Sequence, residues 1–330
     1  MKYFLSIIVL YIVSYNSNAQ TTYKVVDTFN ISSNGWWDYL TVHGDRLYVS
    51  HGTQVNILNK NTGDSIGVIN GTQGVHGIAF CDKLNAGYTS NGRLNNVYVF
   101  DINTHIVIDS IKTGKNPDAI MYEPFSGTII TCNGGSNDLT IIDPSSKKVI
   151  KTIPLPGKPE TAISNGQGML FVNIEDKNQV AAIDMKAMKF LSSFSLQGAE
   201  EPTGLAFDEN TNRLFVGCDK ILVVVDAITG KVIKKITIGE GCDGVAFDKD
   251  SKLIFTANGE DGTMSIIEEK SANEYKEIAN IPTAISARTI TIDHDSGTLY
   301  LPAAEIKKSN IEGQRSTIIP GTFKILVVRK

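Results

Sequence analysis

The chain has little of what most redox, metal and nucleotide motifs require. Among its 330 residues there are only four cysteines, five histidines and two tryptophans. The cysteines form no C-x-x-C pair and no C-x-x-C-H haem-attachment motif. No H-E-x-x-H zinc motif and no P-loop occurs. The sequence therefore shows no signature of a c-type haem protein, a zinc protease or a P-loop nucleotide-binding protein.

A strong charge of one sign is also lacking. The chain contains 31 basic and 35 acidic residues, for a formal net charge of −4. Because no basic stripe is present to neutralise phosphates, we expect no nucleic-acid partner. After the first nineteen residues, no apolar run is long enough to span a bilayer. The mature chain is therefore expected to contain no transmembrane segment.

The first nineteen residues differ in composition from the rest. Lys2 is followed by a short apolar run over residues 4–13, and Ser17-Asn18-Ala19 has the small-x-small pattern of a cleavage site. This order of features predicts a secretory signal peptide over residues 1–19, with Gln20 as the first mature residue. An N-terminal helix is the alternative. The signal peptide predicts export to the periplasm or the cell exterior, where disulfides are permitted.

The rest of the chain is an internal repeat. Short β-branched runs end in a polar residue every 41 or 42 residues, and Gly- and Asp-containing turns separate the runs. The repeated polar residues are Asn59, Asp101, Asp143, Asp184, Asp226 and Glu268. A seventh run ends at Arg329, after a longer interval. Each repeat contains four strand-like runs, which is the size and content of a β-propeller blade.

We therefore predict an all-β chain, with residues 20–330 forming a single seven-bladed β-propeller of four-stranded antiparallel blades. The seventh repeat has only three strand-like runs before Lys330. The run at residues 23–29, YKVVDTF, is similar to the fourth strands of other repeats. We expect this N-terminal strand to complete the last blade, because closing the ring removes exposed sheet edges.

The third repeat, PDAIMYEPFSGTIITCNGGSNDLTIIDPSSKKVIKTI, resembles the forty-residue YVTN repeat of surface-layer-type and periplasmic propellers. The resemblance covers nearly all of the chain after residue 19. Where the family has Tyr-Val-Thr-Asn, this chain has LYVS, LFVN and LFVG. The resemblance implies a propeller but no particular activity, because such propellers carry unrelated functions. Related seven-bladed propellers include lactonases and cofactor-dependent oxidoreductases.

One position per repeat leads into the innermost strand, and these positions should meet at one face of the propeller, its mouth. We call this set the mouth ring: Asp38, His76, Asp118, Glu160, Thr203, Asp243 and Arg288. Together with Trp37, the charged members are the predicted ligand-binding residues. Their alternative role is local, as side chains that hydrogen-bond backbone amides in turns. No cofactor and no metal ligand are assigned, although carboxylates and an imidazole suit a divalent ion.

Two further features are expected at the mouth. Residues 302–322 interrupt the seventh repeat between its second and third strands, so this insertion should lie over the mouth. It is expected to cap the mouth, to bind an anionic ligand beneath it, or to be a flexible loop. Lys307, Lys308 and Arg315 give it positive charge. Cys218 and Cys242 belong to mouth loops of adjoining blades and are the best candidates for a disulfide. Free, semi-buried thiols are the alternative.

Three functions are compatible with these features. The first is a non-catalytic, monomeric binding protein that holds a small molecule or a protein at the mouth. The second is a propeller enzyme, either a lactonase-like hydrolase or a cofactor- or metal-dependent oxidoreductase. In a hydrolase, Glu160 or Asp118 would act as the base, and Arg288 or His76 would polarise the carbonyl. The third is a structural module of the cell surface.

Overall fold

Seven four-stranded antiparallel sheets form the blades of a closed ring, in a computed structural model that describes residues 23–307 and 316–330. The all-β, seven-bladed prediction is confirmed. The predicted signal peptide, and residues 308–315 of the predicted insertion, lie outside the described residues. Within the described ranges, no helix is long and apolar enough to cross a membrane.

The strands follow the repeat, and blades one to six each consist of four consecutive strands. The N-terminal strand is β1 (Lys24–Asn30). Blades one to three contain β2 (Trp37–His43), β3 (Arg46–His51), β4 (Gln54–Asn59), β5 (Ser65–Asn70), β6 (Val75–Cys81), β7 (Ala86–Asn91), β8 (Asn96–Asp101), β9 (Val107–Lys112), β10 (Pro117–Glu123), β11 (Thr128–Asn133), β12 (Asp138–Asp143) and β13 (Lys148–Pro154). Blades four to six contain β14 (Pro159–Ser164), β15 (Met169–Ile174), β16 (Gln179–Asp184), β17 (Lys189–Ser195), β18 (Leu205–Asp208), β19 (Arg213–Cys218), β20 (Ile221–Asp226), β21 (Val232–Thr237), β22 (Cys242–Asp248), β23 (Leu253–Asn258), β24 (Thr263–Ser271) and β25 (Glu274–Pro282).

Blade seven combines the two ends of the ring. The remaining strands are β26 (Thr291–Asp293), β27 (Thr298–Ala303), β28 (Ile306–Lys307), β29 (Thr317–Ile318) and β30 (Lys324–Arg329). The sheet order in blade seven is β26-β27-β30-β1, and β1 pairs antiparallel with β30 from Lys24 opposite Arg329 to Asn30 opposite Lys324. The predicted clasp is confirmed. Residues 23–307 and 316–330 also contain three short 3-10 helices, at Asp82–Leu84, Gly92–Leu94 and Glu175–Lys177.

The core is divided among the blade interfaces. In the part of the chain that the structure describes, buried apolar side chains form seven clusters, one between each pair of neighbouring blades. The second strands are buried on both faces, as in β19, whose six residues are all buried. The outermost strands are largely exposed, as in β13. Because each cluster needs two blades, no blade can bury its apolar surface alone.

The repeated polar residues act at turns. The Asp226 carboxylate accepts hydrogen bonds from the backbone N–H groups of Ile228 (3.1 Å) and Thr229 (2.8 Å), and Gly230 follows with a φ of 70°. Asn59, Asp101 and Asp143 bind backbone N–H groups in the corresponding turns. These side chains close the hairpins between third and fourth strands, which explains their regular spacing.

Candidate functional site

β-Bulges position most of the mouth ring. In β2, β6, β10, β14 and β22, the pairing register shifts at the start of the strand. The shifts enclose five ring residues: Asp38, His76, Asp118, Glu160 and Asp243. A bulge places an extra residue in one strand and changes the direction of its side chains. As a result, the side chains of ring residues contact ring residues of adjoining blades and not only residues of their own strand.

Five ring residues form one continuous network across blades six, seven, one, two and three. Arg288 contacts Asp243 at 2.9 Å and Asp38 at 3.7 Å. On the other side of Asp38, the Nδ1 atom of His76 lies 2.6 Å from the Asp38 carboxylate and 3.5 Å from Oδ1 of Asp118. The order along the network is therefore acid, arginine, acid, histidine, acid. Each cationic group is shared by two carboxylates.

The other two ring residues bond elsewhere. Glu160 lies 3.3 Å from the ammonium group of Lys158, which also contacts Glu175. The Thr203 hydroxyl donates a hydrogen bond to the backbone carbonyl of Cys242 at 2.8 Å. Lys158 was not predicted as part of the site. It lies two residues before Glu160 in the sequence. A positive charge so close to a ring residue could have identified Lys158 as part of the site.

Tyr39 is a second residue that the sequence analysis missed. The residue after each ring position is small or β-branched in six blades: Gly77, Ala119, Thr161, Gly204, Gly244 and Thr289. In blade one it is Tyr39, whose hydroxyl lies 3.2 Å from the Thr161 hydroxyl of blade four. The single large side chain thus crosses the space between inner strands of blades one and four. This exception within the repeat was visible in the sequence.

Burial changes the protonation of the ring. It raises the pKa of Asp118 to about 7, although the His76 charge opposes this shift. Burial also raises the pKa of Glu160 well above its usual range. For His76, burial lowers the pKa, but the hydrogen bond to Asp38 and the charge of Asp118 raise it by more. At neutral pH the ring therefore holds protons that exposed carboxyl groups would have lost.

A cavity of about 1060 Å³ opens at the mouth. Five ring residues line it: Asp38, His76, Thr203, Asp243 and Arg288. Asp118 and Glu160 do not line it, and only 6% of Asp118 is exposed. Ile306 and Ser316, which both belong to the predicted insertion, also border the cavity. The described parts of the insertion on either side of residues 308–315 therefore lie at the mouth. Within the described part of that insertion, β28 and β29 pair as a short hairpin.

The two tryptophans occupy different environments. Trp37 is only 3% exposed and its ring lies 5.2 Å from that of Phe323, so most of its surface belongs to the core between blades seven and one. Trp36 stacks on Trp37 with a centroid distance of 6.0 Å and is less buried. Both residues border the cavity. Trp36 is therefore the better placed of the two to contact a ligand.

The predicted disulfide is not formed, and all four cysteines are free, buried thiols. Cys218 lies in the cluster between blades four and five, whereas Cys242 lies in the cluster between blades five and six. Successive side chains of a strand point to opposite faces. Gly217, and not Cys218, faces Cys242: a Cβ atom on Gly217 would lie 2.8 Å from the Cys242 sulfur. The sheet of blade five separates the two thiols.

Comparison with known proteins identifies the fold but not a family. No family model matches the chain, and no curated protein matches it. Among solved structures, hydrazine synthase from Kuenenia stuttgartiensis is similar, with a TM-score of 0.70 and 16% sequence identity over 84% of this chain and 92% of that chain. At this identity the likeness concerns the fold alone. The chain is therefore a seven-bladed β-propeller.

Proposed function

We propose that this chain is an exported, monomeric propeller with YVTN-type blades, which binds a small polar ligand at its mouth and catalyses no reaction. The cavity at the mouth is the observation that carries this proposal. Its volume of about 1060 Å³ lies just above the range of about 300–1,000 Å³ that is usual for small-molecule sites. The sequence pattern of residues 1–19 supports export.

The wall of the cavity favours a cationic, hydroxyl-bearing ligand. It contains the guanidinium groups of Arg93 and Arg288 and the His76 imidazole, whose pKa is raised, against five carboxylates. The carboxylates are those of Asp38, Glu201, Asp219, Asp243 and Glu260. An ammonium group would be attracted by this excess of negative charge. An amino sugar has both the cation and the hydroxyl groups that such a wall can bind.

The geometry favours binding over hydrolysis. The two acids considered as bases, Asp118 and Glu160, do not line the cavity, and the Arg288 guanidinium is already held by Asp243 and Asp38. One G-x-S-x-G segment occurs, at residues 63–67. It joins β4 to β5 in an outer hairpin of blade one, whereas a nucleophile elbow joins a strand to a helix. Ser65 is therefore not placed as a nucleophile at the mouth.

Tryptophan fluorescence tests the proposal directly, because both tryptophans of the chain border the cavity. The mature chain from Gln20 would be titrated with glucosamine, glucose and gluconate, which carry a positive, zero and negative charge. We expect glucosamine to bind most tightly and gluconate most weakly. Glu260→Gln should weaken glucosamine binding by about 10- to 100-fold, since one charged hydrogen bond is worth about 1.5–3 kcal/mol.

Asp250→Asn is the matched control, because it removes one carboxylate from the same blade. Asp250 lies in the exposed turn after β22, at the opposite end of that strand from the mouth. Its substitution should leave glucosamine binding unchanged. Equal affinity for gluconate and glucosamine, or equal effects of the two substitutions, would contradict the proposed ligand class.

A further inference from the structure

Three potential metal ligands converge in the mouth ring. One ligand atom each from Asp38, His76 and Asp118 lies within 4.8 Å of the other two. They come from the adjoining blades one, two and three, so no local motif in the sequence brings them together. The three donors are a nitrogen and two carboxylate oxygens. Asp38 and His76 face the mouth cavity, and Asp118 lies behind them.

Asp118 supplies an independent indication of a ligand. The side chain is more than nine-tenths buried, and its Oδ1 atom has no hydrogen-bond partner among the described residues. A buried carboxylate oxygen without a hydrogen bond is uncommon in native structures. This atom faces Nδ1 of His76 at 3.5 Å, which is too long for a hydrogen bond. The oxygen is therefore available to a group that enters between the two side chains.

The distances suit a small metal ion. Zinc lies about 2.0–2.2 Å from nitrogen and oxygen ligands, so two ligands in a tetrahedral site are about 3.4 Å apart. The Asp118 to His76 distance of 3.5 Å already has this value. The 2.6 Å contact between His76 and Asp38 is a hydrogen bond, and it would lengthen by less than about 1 Å when a metal replaces the proton.

We infer that Asp38, His76 and Asp118 bind a divalent transition-metal cation at the mouth of the propeller. Mixed imidazole and carboxylate ligands favour ions such as Zn²⁺ over Ca²⁺, which prefers six to eight oxygen ligands. Three protein ligands leave a coordination position for a group in the cavity. The inference rests on the proposed function in one respect only: a small molecule bound in the cavity would occupy this remaining coordination position.

Isothermal titration calorimetry with Zn²⁺ alone tests the site in the mature chain. We expect one Zn²⁺ per chain. His76→Gln and Asp118→Asn should each weaken binding by about 100-fold or more, because loss of even an outer-shell partner weakens metal binding 10- to 100-fold. The new amide in His76→Gln can still donate a hydrogen bond to Asp38, so this variant should keep its fold, and circular dichroism melting checks that it does. Asp250→Asn, which removes a carboxylate at the opposite end of β22 from the mouth, should bind Zn²⁺ like the unmodified chain.

Several results would overturn the inference. These are no Zn²⁺ binding at millimolar concentration, unchanged binding in His76→Gln, an equal loss in Asp250→Asn, or Ca²⁺ binding as tight as that of Zn²⁺. The last two would mean that carboxylates of the chain attract cations without a defined site. Because no sugar is present in this experiment, its failure would leave the glucosamine result untouched, and the reverse also holds.

Discussion

At the residue scale, His51 shows how a buried neutral side chain supports the mouth. Its Nε2 atom lies 2.9 Å from the Gly35 carbonyl, and its Nδ1 atom lies 2.6 Å from the Ser33 hydroxyl. The ring also stacks on Phe323 at 3.8 Å. All three neighbours are uncharged, and burial lowers the pKa of His51 to about 4. His51 therefore holds the loop before Trp36 with an imidazole that stays neutral down to about pH 4.

Acid should destabilise the propeller through this residue. The unfolded chain takes up a proton on His51 below pH 6.5, whereas the folded chain resists protonation until about pH 4. Stability should therefore fall as the pH is lowered through this window, by about 2–3 kcal/mol between pH 7.5 and 4.5. Urea unfolding at both pH values measures this loss. In His51→Gln, which can keep both hydrogen bonds, the loss should be smaller by that amount.

His294→Gln is the control for the His51 experiment. His294 is exposed, so its replacement should leave the acid-induced loss as large as in the unmodified chain. If His51→Gln and His294→Gln lose equal stability in acid, the effect belongs to the carboxyl groups of the molecule and not to His51.

At the element scale, β1 is the strand that closes the ring. Its residues are mostly exposed, but Phe29 is only 5% exposed and packs in the cluster between blades seven and one. Its ring lies 6.4 Å from that of Tyr300, and a Cβ atom on Gly63 of blade one would lie 2.4 Å from it. One side chain of β1 therefore contacts both blades that meet at the closure.

Truncating Phe29 should loosen the clasp. Phe29→Ala leaves a cavity between blades seven and one and should lower the free energy of unfolding by about 3–5 kcal/mol. Val26→Ala on the same strand is the control, because Val26 is 41% exposed. It should change the stability by less than about 1 kcal/mol. Urea unfolding compares the two, and equal effects would mean that β1 contributes through backbone pairing alone.

The elements were largely predictable because their signals are local. Runs of β-branched residues, and turn-capping residues such as Asp101 and Asp226, recur at a fixed interval. Blade six departs from this rule: Glu268 does not end its strand but lies inside β24, which extends to Ser271. There a longer hairpin with β25 replaces the short turn of the other blades. The repeat period correctly predicted that blade six exists, but the end of β24 was decided by its pairing with β25.

At the scale of the whole molecule, the ring is joined by side chains as well as strands. Lys60 of blade one forms an ion pair of 2.9 Å with Asp293 of blade seven, and both side chains are largely buried. The Tyr300 hydroxyl donates a hydrogen bond to the Lys60 carbonyl at 2.8 Å. Blade seven is thus attached to blade one independently of β1. The position of the chain break should therefore matter less than the closure itself.

A circular permutant tests this view. Lys24 pairs with Arg329, so a short Gly-rich linker can join Lys330 to Tyr23. New ends between Ser145 and Ser146 would open the hairpin between β12 and β13, again between a third and a fourth strand. We expect the permutant to fold with a similar melting temperature, since every blade interface is retained.

Hydrogen exchange provides the second measurement on the permutant. Terminal strands open most easily, so β1 should exchange fastest among the fourth strands of the unmodified chain. In the permutant this property should move to β13. Two results would contradict the view that closure of the ring matters more than the position of the chain break. These are a permutant that fails to fold and a permutant in which β1 still exchanges fastest.

The mouth ring marks the limit of what could be predicted. The repeat register placed Asp38, His76, Asp118, Glu160, Asp243 and Arg288 at equivalent positions, and five of them do form one network. The partners themselves could not be predicted, because bulges decide which way each side chain points. The Cys218–Cys242 disulfide failed for a related reason: two residues at one mouth can face opposite sides of a sheet.

By itself, the sequence determined the fold class, the number of blades and the clasp between β1 and β30, and it identified five residues that line the cavity at the mouth. These follow from period, strand composition and turn chemistry, which act over a few residues and repeat along the chain. Only the tertiary structure decided that His76 lies between Asp38 and Asp118, that Tyr39 reaches Thr161, and that Asp118 lies behind the cavity. Those contacts join residues about 40 or more positions apart, and they depend on how closed blades direct their side chains toward one another.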